Sequence, residues 1–233
     1  MGSNFQEQNR IKILPEYIAN QIAAGEVVQR PESVVKELVE NSLDAGADSI
    51  AVVIHNGGKK LIHIVDNGYG MGREDLLLSI RRHATSKIIS AEDLEEIRTY
   101  GFRGEALASI AAVSQLEIRS RTSNSDLGWK LISEPNKEPT IEPISMDVGT
   151  QVFVKHLFYN VPARKKFLKS DLTEFRYISD TLLKIALCRN DVRFVFYDED
   201  SLVFDVHKST TEERIKVLLG DLIYDSILKV DFE

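Results

Sequence analysis

One cysteine in 233 residues rules out a disulfide within the chain. Its neighbours "KIALCRN" put Cys188 at the end of an apolar helical stripe, where a buried and inert thiol is expected. No run reaches the ~20 consecutive apolar residues of a membrane span, and the opening "MGSNFQEQNR" has no apolar core of the kind a secretion signal needs. These absences predict no membrane partner and no secretion, hence a cytoplasmic location, or a nuclear one in a eukaryote. Repeats, low-complexity tracts and linkers rich in Pro, Gly and Ser are missing too. Basic residues are in deficit, 29 Lys and Arg against 36 Asp and Glu, for a net charge of −7 and a pI near 5.4. That balance excludes a surface that grips nucleic acid all round, because such binding is dominated by Lys and Arg contacts to phosphate. The local clusters "RRHATSK" and "RKKFLK" leave room for weak or gated DNA contact, and equally for a plain solvated face.

What is present is globular material, 43% hydrophobic and 28% charged, enough for one full domain and the start of another. Residues 1–10 are polar and tag-like, a single domain is expected over 11–207, and 208–233 reads as the truncated beginning of a second unit. A first helix, "EYIANQIAAG", is expected to stop at Gly25. The next has clear punctuation: Pro31 suits the first helical position, Glu32 the positive end of the dipole, and Gly46 a left-handed C-terminal cap, so it should run over 31–45. Its apolar stripe is Val34, Val35, Leu38, Val39 and Ser42. "SIAVVIHNG" and "KLIHIVDNG" alternate strongly enough for an antiparallel pair around the turn "NGGK". Further helices are expected over 73–82, 105–112 and 171–188, and strands over 115–121, 128–133 and 150–156, with "RFVFYDED" and "SLVFDV" as a closing hairpin. The fold class is α+β: a two-layer sandwich of a mixed, largely antiparallel sheet with helices on one face.

Three stretches carry chemistry. On the 31–45 helix, Glu37, Glu40, Asn41 and Asp44 share one stripe, and Glu37 and Asn41 lie one turn apart, roughly 5–6 Å. A carboxamide oxygen holding magnesium beside a carboxylate that activates water would explain that stripe; a solvated acidic face explains it as well. "DNGYG" follows an apolar strand and puts Asp66 at its end, where a buried acceptor flanked by Gly68 and Gly70 could take the exocyclic amine of adenine, which guanine lacks at that place. A surface turn is the plain alternative. "GFRGEALASIAAV" runs a glycine-bounded loop straight into a helix, a phosphate-binding junction without the Gly-Lys-Ser/Thr ending of a P-loop. Upstream, Thr85, Ser86 and Lys87 of "RRHATSK" form a polar segment that reads as a lid or as a bland loop.

In this order, the three stretches fit one site better than three accidents. The chain closely resembles the N-terminal ATPase region of MutL-type DNA mismatch repair proteins, within the wider group of gyrase, chaperone and histidine-kinase ATPases. The matching residues are "LPEYIANQIAAGEVVQRPESVVKELVENSLDAGA", "DNGYGM", "RRHATSKI", "YGFRGEALASIAAVS", "GTQVFV" and "LFYNVPARKKFL". The resemblance implies ATP and magnesium as cofactors, Glu37 as the water-activating base, Asn41 as the metal ligand, Asp66 as the adenine reader and Thr150 as its support. It implies that Gly68, Gly70, Met71, Thr85, Ser86, Lys87, Gly101, Phe102, Arg103, Gly104, Glu105, Ala106 and Leu107 line the nucleotide and its phosphates. Glu40 and Asp44 receive no role. The implied partners are a second copy in an ATP-dependent N-terminal dimer, a mismatch-recognition protein of the MutS type, and DNA held weakly. One departure is that the family's Pro-Ala-Lys lysine, supplied by a second subdomain, has no match near the end, so binding without strong turnover or dimerisation is expected. A nucleotide-gated binding module without useful hydrolysis is the alternative, and a sensor kinase is disfavoured because nothing resembles its phospho-acceptor helix.

Overall fold

The structure is a computed structural model and describes residues 12–87, 99–101 and 104–227. Expectations for residues 1–10, and for Phe102 and Arg103, lie outside the described residues. The chain opens with α1 (Glu16–Val27) and α2 (Pro31–Asp44), followed by the hairpin β1 (Ser49–His55) and β2 (Leu61–Asp66). Next come α3 (Arg73–Ser79), α4 (Ala106–Val113), β3 (Gln115–Arg121), β4 (Gly128–Ser133), β5 (Thr140–Ile144) and β6 (Gly149–Lys155). The remainder is α5 (Pro162–Phe167), α6 (Asp171–Cys188), β7 (Arg193–Asp198), β8 (Ser201–Val206), α7 (Thr211–Leu219) and α8 (Asp221–Tyr224). The strands form one sheet in the order β5-β4-β3-β6-β2-β1-β7-β8. Every described pairing is antiparallel except β1 with β7.

Alternation along each strand sends one set of side chains to a buried face, and the register stacks them in rows. Val52, Ile64, Val152, Ile118 and Leu131 make one row across five strands, and Ile54, Ile62, Val154 and Leu116 the next. Onto these rows pack Val34, Val35, Leu38, Val39 and Leu43 of α2, Ile110 and Val113 of α4, and Ile178 and Leu182 of α6, in one continuous core. Each such side chain contributes about 1.5–3 kcal/mol on burial. A third row, toward the C-terminal end of β2, turns polar: Asp66 faces Thr150, and Thr150 faces Ser120. Polar groups on the apolar side of a sheet mark where the site lies.

The α2 helix ends as its sequence predicts. Gly46 is left-handed (φ 71°), its N–H donates to Leu43 O at 3.0 Å, and the Ala47 N–H donates to Ser42 O at 3.1 Å. This double bond pattern satisfies carbonyls that the helix leaves open. Three expectations need correction. The α1 helix runs through Gly25 to Val27, because Gly25 serves close approach: the Arg164 guanidinium lies over it, and a Cβ there would fall 1.8 Å from Nη2. Cys188 is exposed, the apolar stripe of α6 having passed to the other side by its last residue. The third helix ends at Ser79, a turn early, and β5 and α5 are additional.

Candidate functional site

Asp66 ends β2 on the buried side and is 8% exposed. Its Oδ2 accepts from Ser42 Oγ at 2.8 Å, and its Oδ1 accepts from the N–H groups of Gly68 (2.9 Å) and Thr150 (3.2 Å). Thr150 Oγ1 lies 2.9 Å from Ser120 Oγ, and the Met71 N–H donates to Ser120 Oγ at 2.7 Å. Burial pushes the Asp66 carboxyl above the ordinary carboxylate range, and the bonds from Ser42, Gly68 and Thr150 pull it back down. The loop after β2 is fixed by close backbone approach. The Tyr69 N–H donates to Ala45 O at 3.0 Å, and a Cβ on Gly68 would sit 2.7 Å from that same oxygen. The end of α2 and the Asp66 loop are thereby locked together.

One turn along α2, Asn41 Oδ1 accepts from Lys87 Nζ at 2.8 Å, and Asp44 Oδ2 accepts from the same ammonium at 2.6 Å. Asp44 further receives the N–H groups of Tyr100 (3.0 Å) and Gly101 (3.2 Å). Glu40 instead turns to Lys36, 3.5 Å away on the same helix. Gly104, left-handed at φ 63°, lets the chain pass against Ala84: a Cβ there would meet Ala84 O at 2.6 Å, and the His83 N–H donates to Gly104 O. His83 and Ala84 of the "HATSK" stretch therefore meet Gly104 in space, directly before the first turn of α4, whose amides have no partners within the helix.

Between these elements opens a cavity of about 950 Å³, a size that suits a nucleotide. Glu37, Asn41, Asp66, Gly70 and Met71 line it on the α2 and β2 side, and Thr150 from β6. Thr85, Ser86, Lys87 and Gly101 line the facing side, with Gly104, Glu105, Ala106 and Leu107 leading into α4.

Residues 29–150, just over half of the chain, match the family described as "Histidine kinase-, DNA gyrase B-, and HSP90-like ATPase". The ADP-complexed MutL ATPase domain of Aquifex aeolicus superposes with a TM-score of 0.66 at 35% identity, covering 83% of this chain and 70% of that one. The chain belongs to the MutL ATPase family. The DNA mismatch repair protein MutL of Geotalea daltonii is 47% identical over 96% of this chain, and that of Parabacteroides distasonis is 49% identical over 95%. This MutL-type chain spans only 37% and 36% of those two relatives' lengths. The matched span runs from before α2 to Thr150 and so contains Glu37, Asn41, Asp66 and the residues between them.

Of the residues expected to line the nucleotide in a MutL-type site, Gly68 is the described one that does not reach the wall; it contributes an N–H to Asp66 and close packing to Ala45. Ser42 and Ser120 were missed, and Asp44 stood on the acidic stripe without a role. Ser42 falls on the apolar stripe of α2, and its one distinguishing signal is a hydroxyl among Val and Leu on the buried side.

Proposed function

We propose that the cavity binds ATP with magnesium and that the chain is the nucleotide-hydrolysing head of a MutL-type mismatch repair protein. The observation that carries this is Asp66. An ionisable carboxylate sits on the cavity wall with three donors organised behind it, leaving acceptor capacity toward the cavity for an exocyclic amine. Thr150, tied to Ser120, supports the same edge of the base. The phosphates run toward Gly101, Gly104 and the first turn of α4, where unpaired amides and the dipole favour negative charge.

The residues present fit magnesium. Among the described residues no group of three His, Cys, Asp or Glu could hold a metal alone, which suits an ion that takes one or two protein oxygens and completes its shell with water and phosphate. The Lys87 ammonium held by Asn41 Oδ1 and Asp44 Oδ2 shows that oxygens here already converge on a cation. Magnesium on Asn41 would neutralise charge on the phosphate oxygens. Glu37, one turn before Asn41 and on the same wall, takes a proton from a water as that water's oxygen bonds to the terminal phosphorus. The bond from phosphorus to the bridging oxygen breaks, and ADP and phosphate leave.

In the whole protein this head dimerises on ATP, works with a mismatch-recognition protein of the MutS type and touches DNA weakly, in the cytoplasm or nucleus. Residues 11–207 form its nucleotide domain, and 208–233 begin a second unit. No described helix is long and apolar enough to cross a membrane. The reading is tested by thermal unfolding with magnesium and a slowly hydrolysed ATP analogue, against the GTP counterpart and against Asp66→Ala. At a hundred times Kd a ligand adds about 2.7 kcal/mol, roughly 5–11 °C for a chain of this size. A shift with the adenine nucleotide alone, lost in the variant, is expected; equal shifts with both nucleotides would refute the assignment of Asp66.

A further inference from the structure

Asp44 has no assigned task in the nucleotide binding or hydrolysis proposed above, yet its carboxylate gathers the two described stretches that face α2 across the cavity. Its Oδ2 takes the Lys87 ammonium at 2.6 Å and the Gly101 N–H at 3.2 Å, and its Oδ1 takes the Tyr100 N–H at 3.0 Å. Its side chain is 6% exposed and that of Lys87 17%. The ammonium is shared with Asn41 Oδ1 at 2.8 Å. Gly101 packs directly on this contact, since a Cβ there would lie 3.2 Å from Lys87 Nζ and 3.7 Å from Asn41 Oδ1. The metal-binding oxygen of the site is thus already engaged by a positive charge, and Asp44 holds that charge in place.

Resting on the magnesium nucleotide reading above, we infer that Asp44 is a positioning residue that keeps the Lys87 ammonium on Asn41, so that Lys87 and the divalent cation compete for one oxygen. Two cations on one carboxamide oxygen repel each other across a few ångströms of partly buried space, so each weakens the other's hold on it. When the metal takes Asn41, Lys87 keeps its bond to Asp44 Oδ2 and can turn about it toward the phosphates. Without metal, the same ammonium supplies a positive charge beside Asn41. Two consequences follow. Metal-free nucleotide binding depends on Lys87, and the magnesium concentration needed for full binding is set partly by the lysine it displaces.

The test is a magnesium titration, from EDTA upward, of a fluorescent ADP bound to wild type, Lys87→Met, Lys87→Arg, Asp44→Asn and the Lys87→Met/Asp44→Asn double variant. Lys87→Met is expected to weaken metal-free binding at least fivefold and to lower the magnesium midpoint about tenfold. Lys87→Arg, which keeps the charge, should stay within threefold of the wild-type midpoint. Because Asp44 acts through the lysine, its substitution should move the midpoint by factors that differ at least fivefold between the Lys87 and Lys87→Met backgrounds. A loss of folding would show as a lowered unfolding temperature without ligand, and it would not lower a magnesium midpoint. ADP bound by Lys87→Met with an unchanged or raised midpoint would overturn the competition and leave the nucleotide site standing. Equal factors in the two backgrounds would overturn the role of Asp44. Wild type that binds no ADP at either extreme of magnesium would overturn the site reading and this inference together.

Discussion

A carboxylate on a buried sheet face is costly to keep ionised, and the bonds from Ser42, Gly68 and Thr150 only partly offset that cost for Asp66. The sign of the pH effect follows. A base amine donates to the ionised carboxylate, so bound adenine nucleotide and a proton compete for Asp66, and affinity should fall as pH drops through its raised pKa. That window lies above the range of an ordinary carboxylate. Ser42→Ala removes a donor that favours the charged form, so the acid limb moves to higher pH, while neutral-pH stability drops by about 1–3 kcal/mol. Binding of a fluorescent adenine nucleotide across the acid range, with Asp66→Asn as the flat control, measures it; a wild-type profile as flat as that control would refute the assignment. At this scale much was readable. Glu37 and Asn41 from one motif, and Asp66 and Thr150 from two others, face one cavity. Ser42 and Ser120 were not readable, because a small buried hydroxyl looks like tolerated core until the fold brings the Asp66 carboxylate to Ser42 and Thr150 to Ser120.

Among the elements, two left-handed glycines separate conformation from contact. Gly46 (φ 71°) closes α2 with nothing within 4 Å of where a Cβ would be, so Gly46→Ala should lose only the conformational term, about 1–2 kcal/mol, and leave nucleotide affinity unchanged. Gly70 has the same φ, but its Cβ would fall 2.1 Å from Arg121 O. Gly70→Ala must displace the Asp66 loop from β3, and the overpacking raises the loss to about 3–5 kcal/mol with nucleotide binding reduced. Urea unfolding of both variants, alongside ADP affinity, decides; matching losses would show that the Arg121 contact yields freely. Elements with their own punctuation, α2 and the β1–β2 hairpin above all, were legible in the sequence. β5 was not: "TIEPI" carries Pro143 and little alternation, which an edge strand tolerates because no further strand needs its N–H. α5 hid behind the "NVPARKKF" run, where three basic residues read equally as DNA contact, lid or surface and Pro162 at the helix start went unused as a signal.

The strand order of the whole molecule was not legible, since the parallel join of β1 to β7 links residues more than a hundred positions apart with no local mark. A buried arginine guards that distant edge. Arg214 of α7 is fully buried, and its Nη2 donates to the carbonyls of Asn190 (3.1 Å), Val192 (2.8 Å) and His207 (2.9 Å). One side chain therefore ties the loop before β7 and the end of β8 to the helix that follows. Arg214→Ala removes the guanidinium donor from the Val192 and His207 carbonyls, while Asn190 O keeps the Ser209 N–H, and it opens a cavity, a loss of about 2–4 kcal/mol. The loss should be local. β8 lies three strand spacings from β2, about 14 Å, beyond the distance at which effects usually couple. The expected outcome is trypsin cleavage at the exposed Lys208 at least tenfold faster than in wild type, with ADP affinity within twofold. If affinity falls in proportion to stability, the Arg214 clip belongs to the same cooperative unit as the nucleotide cavity. The sheet would then transmit strain from its β8 edge to the polar row at Asp66.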